Sequence, residues 1–150
     1  MKYYQIHPQV DGHFGRNTVF IDESARPIQI EKLHMELDSF TGDDIITSIG
    51  IYVVTDQLAG ILQSAVPKIS GISFADVEIS KSDEYYWNQT KGYDYAPEQL
   101  PKFVWLKVSG EAGVDDFAKP SKGHLVVSER ALHVLQSFNL EHCKIKEFAT

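Results

Sequence analysis

The chain has 150 residues, 43% hydrophobic and 23% charged, enough to bury roughly 70% of its unfolded surface without a disulfide or a metal. That composition argues against a disordered tail, a fibrous repeat or a disulfide-rich miniprotein, and no apolar run approaches the roughly 18 residues of a membrane-spanning helix. Fourteen basic and 21 acidic side chains leave a net charge of −7, which argues against broad binding to a phosphate backbone and suits a basic partner or plain solubility.

The opening Met1-Lys2-Tyr3-Tyr4-Gln5-Ile6-His7-Pro8 has no apolar run and no small-residue cleavage site, so it does not read as a signal peptide and a cytoplasmic location is expected. Residues 3–6 alternate and stop at Pro8, a short first strand. Asp11-Gly12-His13-Phe14-Gly15 reads as a loop by its glycines, and residues 17–21 as a second strand. Ile28, Ile30, Leu33, Met35 and Leu37 are spaced mostly by two, which predicts a strand with an irregularity near Glu31 and Lys32. Residues 39–44 read as a loop. Ile45-Ile46 and then Ile51-Tyr52-Val53-Val54 are β-branched and apolar, as in buried strands.

At Thr55 the period changes. Leu58, Ala59, Ile61, Leu62 and Ala65 lie on one helical face, Thr55 is placed to cap it, Asp56 complements the helix dipole, and Pro67 ends it. Residues 69–79 alternate again. Residues 83–99 are polar and aromatic, with Tyr85, Tyr86, Trp87, Tyr93 and Tyr95; alternate members are expected to pack on a sheet, leaving the others exposed. Residues 103–108 form a strong strand, 109–113 a turn, 115–123 a loop and 125–127 a short strand. Cys143, the one cysteine, reads as a small apolar residue on the buried face of a last strand.

The middle of the chain recurs near its end. Val53-Val54-Thr55-Asp56-Gln57-Leu58-Ala59-Gly60-Ile61-Leu62-Gln63-Ser64 aligns at an offset of 73 with Val126-Val127-Ser128-Glu129-Arg130-Ala131-Leu132-His133-Val134-Leu135-Gln136-Ser137. Cap, first-turn acid and apolar pair coincide. The fold expected is therefore a single α+β domain over residues 1–150. Its mixed, largely antiparallel sheet carries two pseudo-repeated strand–helix–strand units, about 51–79 and 124–148, and few helices. Two copies are too few for a solenoid.

No catalytic signature emerges. A phosphate loop and a nucleophile elbow are missing, and Ser128 is a helix cap rather than a nucleophile, since no lysine follows three residues on. The six histidines (His7, His13, His34, His124, His133, His142) lack metal-ligand spacing. Asp43-Asp44 and Asp115-Asp116 read as solvated loop pairs making local turn bonds. Acids cluster in residues 22–44 and 76–98, with local net charges of −5 and −4. These are either two solvated faces or an acidic docking surface.

The Val53 to Leu62 run, Ile69-Ser70-Gly71-Ile72-Ser73-Phe74-Ala75-Asp76-Val77, Tyr85-Tyr86-Trp87-Asn88, Leu125 to Leu135 and Cys143-Lys144-Ile145-Lys146-Glu147-Phe148 together resemble a family of bacterial immunity proteins of polymorphic toxin systems, first catalogued as a domain of unknown function. The resemblance spans about residues 44–148, rests on structural motifs, and carries no catalytic set. It implies a cytoplasmic α+β protein that binds and neutralises a toxin made by the same cell or its siblings.

The expected activity is thus a non-enzymatic immunity protein that occludes a cognate, basic toxin. It would need no cofactor or metal, bind neither nucleic acid nor membrane, and be a monomer or weak homodimer. The expected contacts are Asp38, Asp43, Asp44, Asp83, Glu84, Trp87, Tyr93 and Tyr95. Two alternatives stand beside it. One is a small-ligand or enzymatic domain with its site between the two α/β units, using carboxylates and His7 or His124. The other is a structural domain without a ligand.

Overall fold

A computed structural model describes residues 2–25, 28–91, 100–119 and 124–148, with the backbone alone for 88–91. In chain order the elements are β1 (Tyr3–His7), β2 (Gln9–Val10), β3 (Gly12–Phe14), β4 (Val19–Asp22), β5 (Gln29–Leu37), β6 (Ile45–Ser48), β7 (Ile51–Thr55), α1 (Asp56–Ser64), β8 (Ile72–Ala75), β9 (Val77–Lys81), α2 (Asp83–Lys91), β10 (Phe103–Val108), β11 (Phe117–Ala118), β12 (Leu125–Ser128), α3 (Glu129–Leu135) and β13 (Lys144–Phe148). The fold is α+β and dominated by largely antiparallel sheet. One sheet runs β11-β12-β1-β13, a second β2-β6-β7-β10-β8, and a third is built on β5, which pairs with β3, β4 and β9.

The second sheet lies between two cores. Tyr52 and Val54 of β7 enter the first core, with Ile6, Leu125 and Val127 of the first sheet and Leu58, Leu62, Ala131 and Leu135 of α1 and α3. Ile51 and Val53 enter the second, against Leu33, Met35 and Leu37 of β5 and against Tyr85 of α2. All five residues of β7 are buried, which is why its sequence shows no polar alternation.

The two strand–helix–strand units are split in the same way. β10 lies between β7 and β8, antiparallel to both. β1 lies between β12 and β13, also antiparallel to both. Short strands complete the match, β6 beside β7 and β11 beside β12. The echo at an offset of 73 in the sequence is thus an echo in topology.

Several local expectations change. Residues 12–14 of the expected glycine loop pair with β5; a Cβ at Gly12 would come within 2.5 Å of the Glu36 carbonyl oxygen, so this glycine serves close strand approach rather than a turn. The irregularity near Glu31 is a bulge, since Val19 faces Lys32 while Phe20 faces Ile30. The alternating run 69–79 divides at Asp76, giving β8 to the second sheet and β9 to β5. Residues 83–91 form a helix instead of packing on a sheet, because Ser82 caps them (below) and only Tyr85 among the described side chains is buried. The expected loop 115–123 contains β11, whose Phe117 is fully buried.

Thr55 has the extended backbone of an N-cap but makes no side-chain capping bond. Its hydroxyl donates instead to Asp44 Oδ1 at 2.8 Å. Ser128 does both: it donates to Asp116 Oδ1 at 2.7 Å and accepts from the Ala131 N–H at 3.1 Å. Cys143 is half-buried beside the first core, and burial pushes its thiol up to about 11. It behaves as an apolar residue.

Candidate functional site

Four of the eight expected contact residues meet where α2 begins. Ser82 donates its N–H to the Leu37 carbonyl at 2.9 Å, tying the helix start to the end of β5. Its hydroxyl donates to Asp38 Oδ1 at 2.7 Å and accepts from the Tyr85 N–H at 3.3 Å, the role of an N-cap. Asp83 and Glu84 follow in the first turn, where carboxylates complement the helix dipole. Trp87 lies three and four residues on, on the same side of the helix.

Tyr85 turns the other way and is fully buried in the second core, while Tyr86 is 54% and Trp87 50% exposed. Lys81 holds its ammonium 5.3 Å from the Tyr85 ring centre and 5.9 Å from that of Tyr86. His13 bridges the acids, with Nδ1 3.0 Å from Asp38 Oδ2 and Nε2 3.1 Å from Glu36 Oε2. Its hydrogen bond to Asp38 raises its pKa. Glu36, Asp38, Asp83, Glu84, Tyr86 and Trp87 therefore share one exposed region. Of these, Glu36 and Tyr86 were not among the expected contacts. Tyr86 belongs to the aromatic run the sequence singles out, but only the helix, which turns Tyr85 inward and its neighbours outward, separates the exposed rings from the buried one.

Asp43 and Asp44 are elsewhere, and both are spent on hydrogen bonds. Asp43 is fully buried. Its Oδ2 accepts the His142 N–H at 2.9 Å and its Oδ1 lies 3.1 Å from His142 Nδ1. Asp44 accepts from Thr55 and, through Oδ2, from the Asn139 N–H at 2.8 Å. Their bonds are long-range clamps rather than local turn bonds, and they leave Asp43 no surface to offer a partner. Tyr93 and Tyr95 lie outside the described residues.

One constellation has the composition of a hydrolytic triad. His34 Nε2 lies 2.7 Å from Ser80 Oγ and 3.7 Å from Glu78 Oε2. The backbone N–H of Asn17, however, donates to His34 Nδ1 at 3.1 Å. Nδ1 is thereby the acceptor, so Nε2 carries the proton and donates to Ser80. That tautomer cannot take a proton from the serine. His34 instead packs β5 against Gly15, where a Cβ would come within 2.2 Å of the imidazole ring.

His7 and His124 are brought together. Their rings stack with centres 3.6 Å apart and planes 26° apart. They line a cavity of about 390 Å³ with Pro8, Val10, Thr47, Ile49, Gly50, Tyr52 and Lys119, between the first and second sheets. Among the described residues no three His, Cys, Asp or Glu side chains gather as a metal ion would require. None of the described helices is long and apolar enough to cross a membrane.

Comparison with protein-family models, with curated proteins and with solved structures finds no match to this chain.

Proposed function

We propose that this chain is a non-enzymatic immunity protein that docks a cognate basic toxin on the face at the start of α2 and covers the toxin's active surface. The observation that carries the reading is the convergence, through Ser82 and His13, of Asp38, Asp83 and Glu84 with the exposed Tyr86 and Trp87. Acids at a rim steer a basic partner and set its orientation, while Trp and Tyr supply the desolvated anchor. The resemblance over residues 44–148 supports the same reading. The protein would act in the cytoplasm as a monomer or weak homodimer, without a cofactor.

The test is capture on the tagged full-length chain from its native cell, followed by kinetics on what is captured. One basic protein, toxic alone and silenced by this chain, is the expected catch. Association should slow with salt and with the pair Asp83→Lys and Glu84→Lys, and Trp87→Ala should speed dissociation. A captured toxin whose binding ignores all three substitutions would overturn the assignment of this face.

A further inference from the structure

The chain is acidic, yet one cavity brings together the stacked His7 and His124 and Lys119, which enters from the end of β11. Lys119 is half-buried, and its one hydrogen bond among the described residues is to the Gly50 carbonyl at 2.7 Å. No carboxylate of the described residues is within ion-pair distance of it, and burial lowers its pKa. His7 Nε2 is buried with no hydrogen-bond partner among the described residues. A part-buried ammonium without a counter-charge and an orphaned ring nitrogen both cost stability unless something completes them.

The charges around His7 repeat the sign. Burial lowers its pKa first, and then His124, Lys146 and Lys144 lower it further. Lys144 and Gln5's partner Lys146 stand on the same face of the sheet as His7, by the pairing of β1 with β13. Facing them across the cavity are Thr47, whose hydroxyl is spent on the Ile51 carbonyl, and Tyr52, whose phenol burial pushes up. The cavity shares Gly50, Tyr52 and Lys119 with a second hollow of about 300 Å³ lined by Ile21, Ile28, Ile30 and Trp105. The exposed Val10, Ile21 and Ile49 border the two.

We infer that the paired hollows form a binding site for a small organic oxyanion, with its carboxylate or phosphate held by Lys119, His7 and His124 and its apolar body lying toward Ile21, Ile28 and Trp105. Lys119 would donate a charge-assisted hydrogen bond, the strong kind for an oxyanion, and the stacked imidazoles would add positive charge as they take up protons. A bound anion favours the protonated His7, whose pKa burial holds below the ordinary histidine value, so affinity rises as pH falls through it. The site is separate from the α2 face and does not depend on the toxin reading.

The test uses the full-length protein with phenyl phosphate, benzoate and inorganic phosphate as probes at constant ionic strength, read by the ring resonances of His7 and His124. Saturable shifts with an aryl anion, tighter at the lower pH, are expected. The head group is assigned by which aryl anion binds tighter, and weaker binding of inorganic phosphate marks the apolar body's share. Lys119→Met should weaken binding about tenfold or more, the loss of one charge-assisted bond. His7→Phe keeps the ring stack, removes the titrating imidazole, and should weaken it independently of Lys119's bond to the Gly50 carbonyl. Shifts that never saturate, or saturate unchanged in both variants, overturn the inference.

Discussion

Asp44 and Asp116 occupy the same place in the two halves of the molecule and hold the halves together reciprocally. Each stands just before the short strand, β6 or β11, that pairs with the strand leading into its helix. Each accepts through Oδ1 from the hydroxyl that ends the next strand, Thr55 at 2.8 Å and Ser128 at 2.7 Å, and through its carbonyl from the same residue's N–H, at 3.0 and 2.8 Å. Each then spends Oδ2 on the other half: Asp44 on the Asn139 N–H after α3, Asp116 on the Ser70 N–H after α1. Asp116→Ala, which also strips an acceptor from the Ser70 hydroxyl, should lower the unfolding free energy by about 2–3 kcal/mol. Asp44→Ala should cost about 1–2 kcal/mol. Urea unfolding of both variants checks this, and losses well under 1 kcal/mol would make the clamps bystanders.

Asp11 gives stability a pH dependence of the opposite sign to the usual carboxylate. Burial pushes its pKa from 3.8 up to about 6, against hydrogen bonds from Thr41 and Ser39. Between those values the folded chain keeps a proton that the unfolded chain has released. Its contribution therefore falls as pH rises from about 4 to 6, by roughly 2–3 kcal/mol. Asp11→Asn should flatten that part of the stability profile measured by denaturant titration, and an unchanged profile would assign it to another group.

Gly15 is tied to His34 by volume. A Cβ there meets the imidazole ring, and the ring is pinned by the Asn17 N–H and Ser80. Gly15→Ala should cost about 1–3 kcal/mol. Adding His34→Ala should recover part of the loss, a coupling that a thermodynamic cycle reads directly.

The β6–β7 hairpin turns on Ile49 at φ 45° and Gly50 at φ 75°. A β-branched residue in that region is strained, while asparagine tolerates it. Ile49→Asn should therefore raise the melting temperature, by the equivalent of about 1 kcal/mol. It should also weaken binding of an apolar anion, because Ile49 lines the histidine cavity. A lower melting temperature would show that the exposed side chain earns more than its backbone loses.

Tyr85 and Trp87 separate fold from surface on one helix. Tyr85→Ala should cost about 3–5 kcal/mol, since its ring fills the second core. Trp87→Ala should change stability by about 1 kcal/mol or less, leaving its effect to partner binding.

What could be read from the residues follows from where each was spent. Ile51 to Thr55 and Phe103 to Val108 declare themselves as strands because their apolar content is continuous or strictly patterned. α1 and α3 declare themselves through period and punctuation. Asp43 and Asp44 mislead because their partners are 95–99 residues away, and no local pattern encodes such a bond. α2 hides because only Tyr85 among its described side chains is buried, so no stripe repeats. The histidine cavity hides for the same reason as the clamps: His7 and His124 meet because β1 and β12 pair side by side, a neighbour relation between distant segments.

The placing of β1 between β12 and β13 bears on synthesis. Tyr3 ends opposite Phe148 and Ser128, so a ribosome delivers this strand long before either neighbour exists. Until β12 has emerged, Ile6 lacks Leu125 and Val127 in the first core, and until β13 has emerged one edge of β1 stays open. The nascent chain carries β1 without its partners until β12 is made, and shortening β13 would undo an interaction made by a strand translated far earlier.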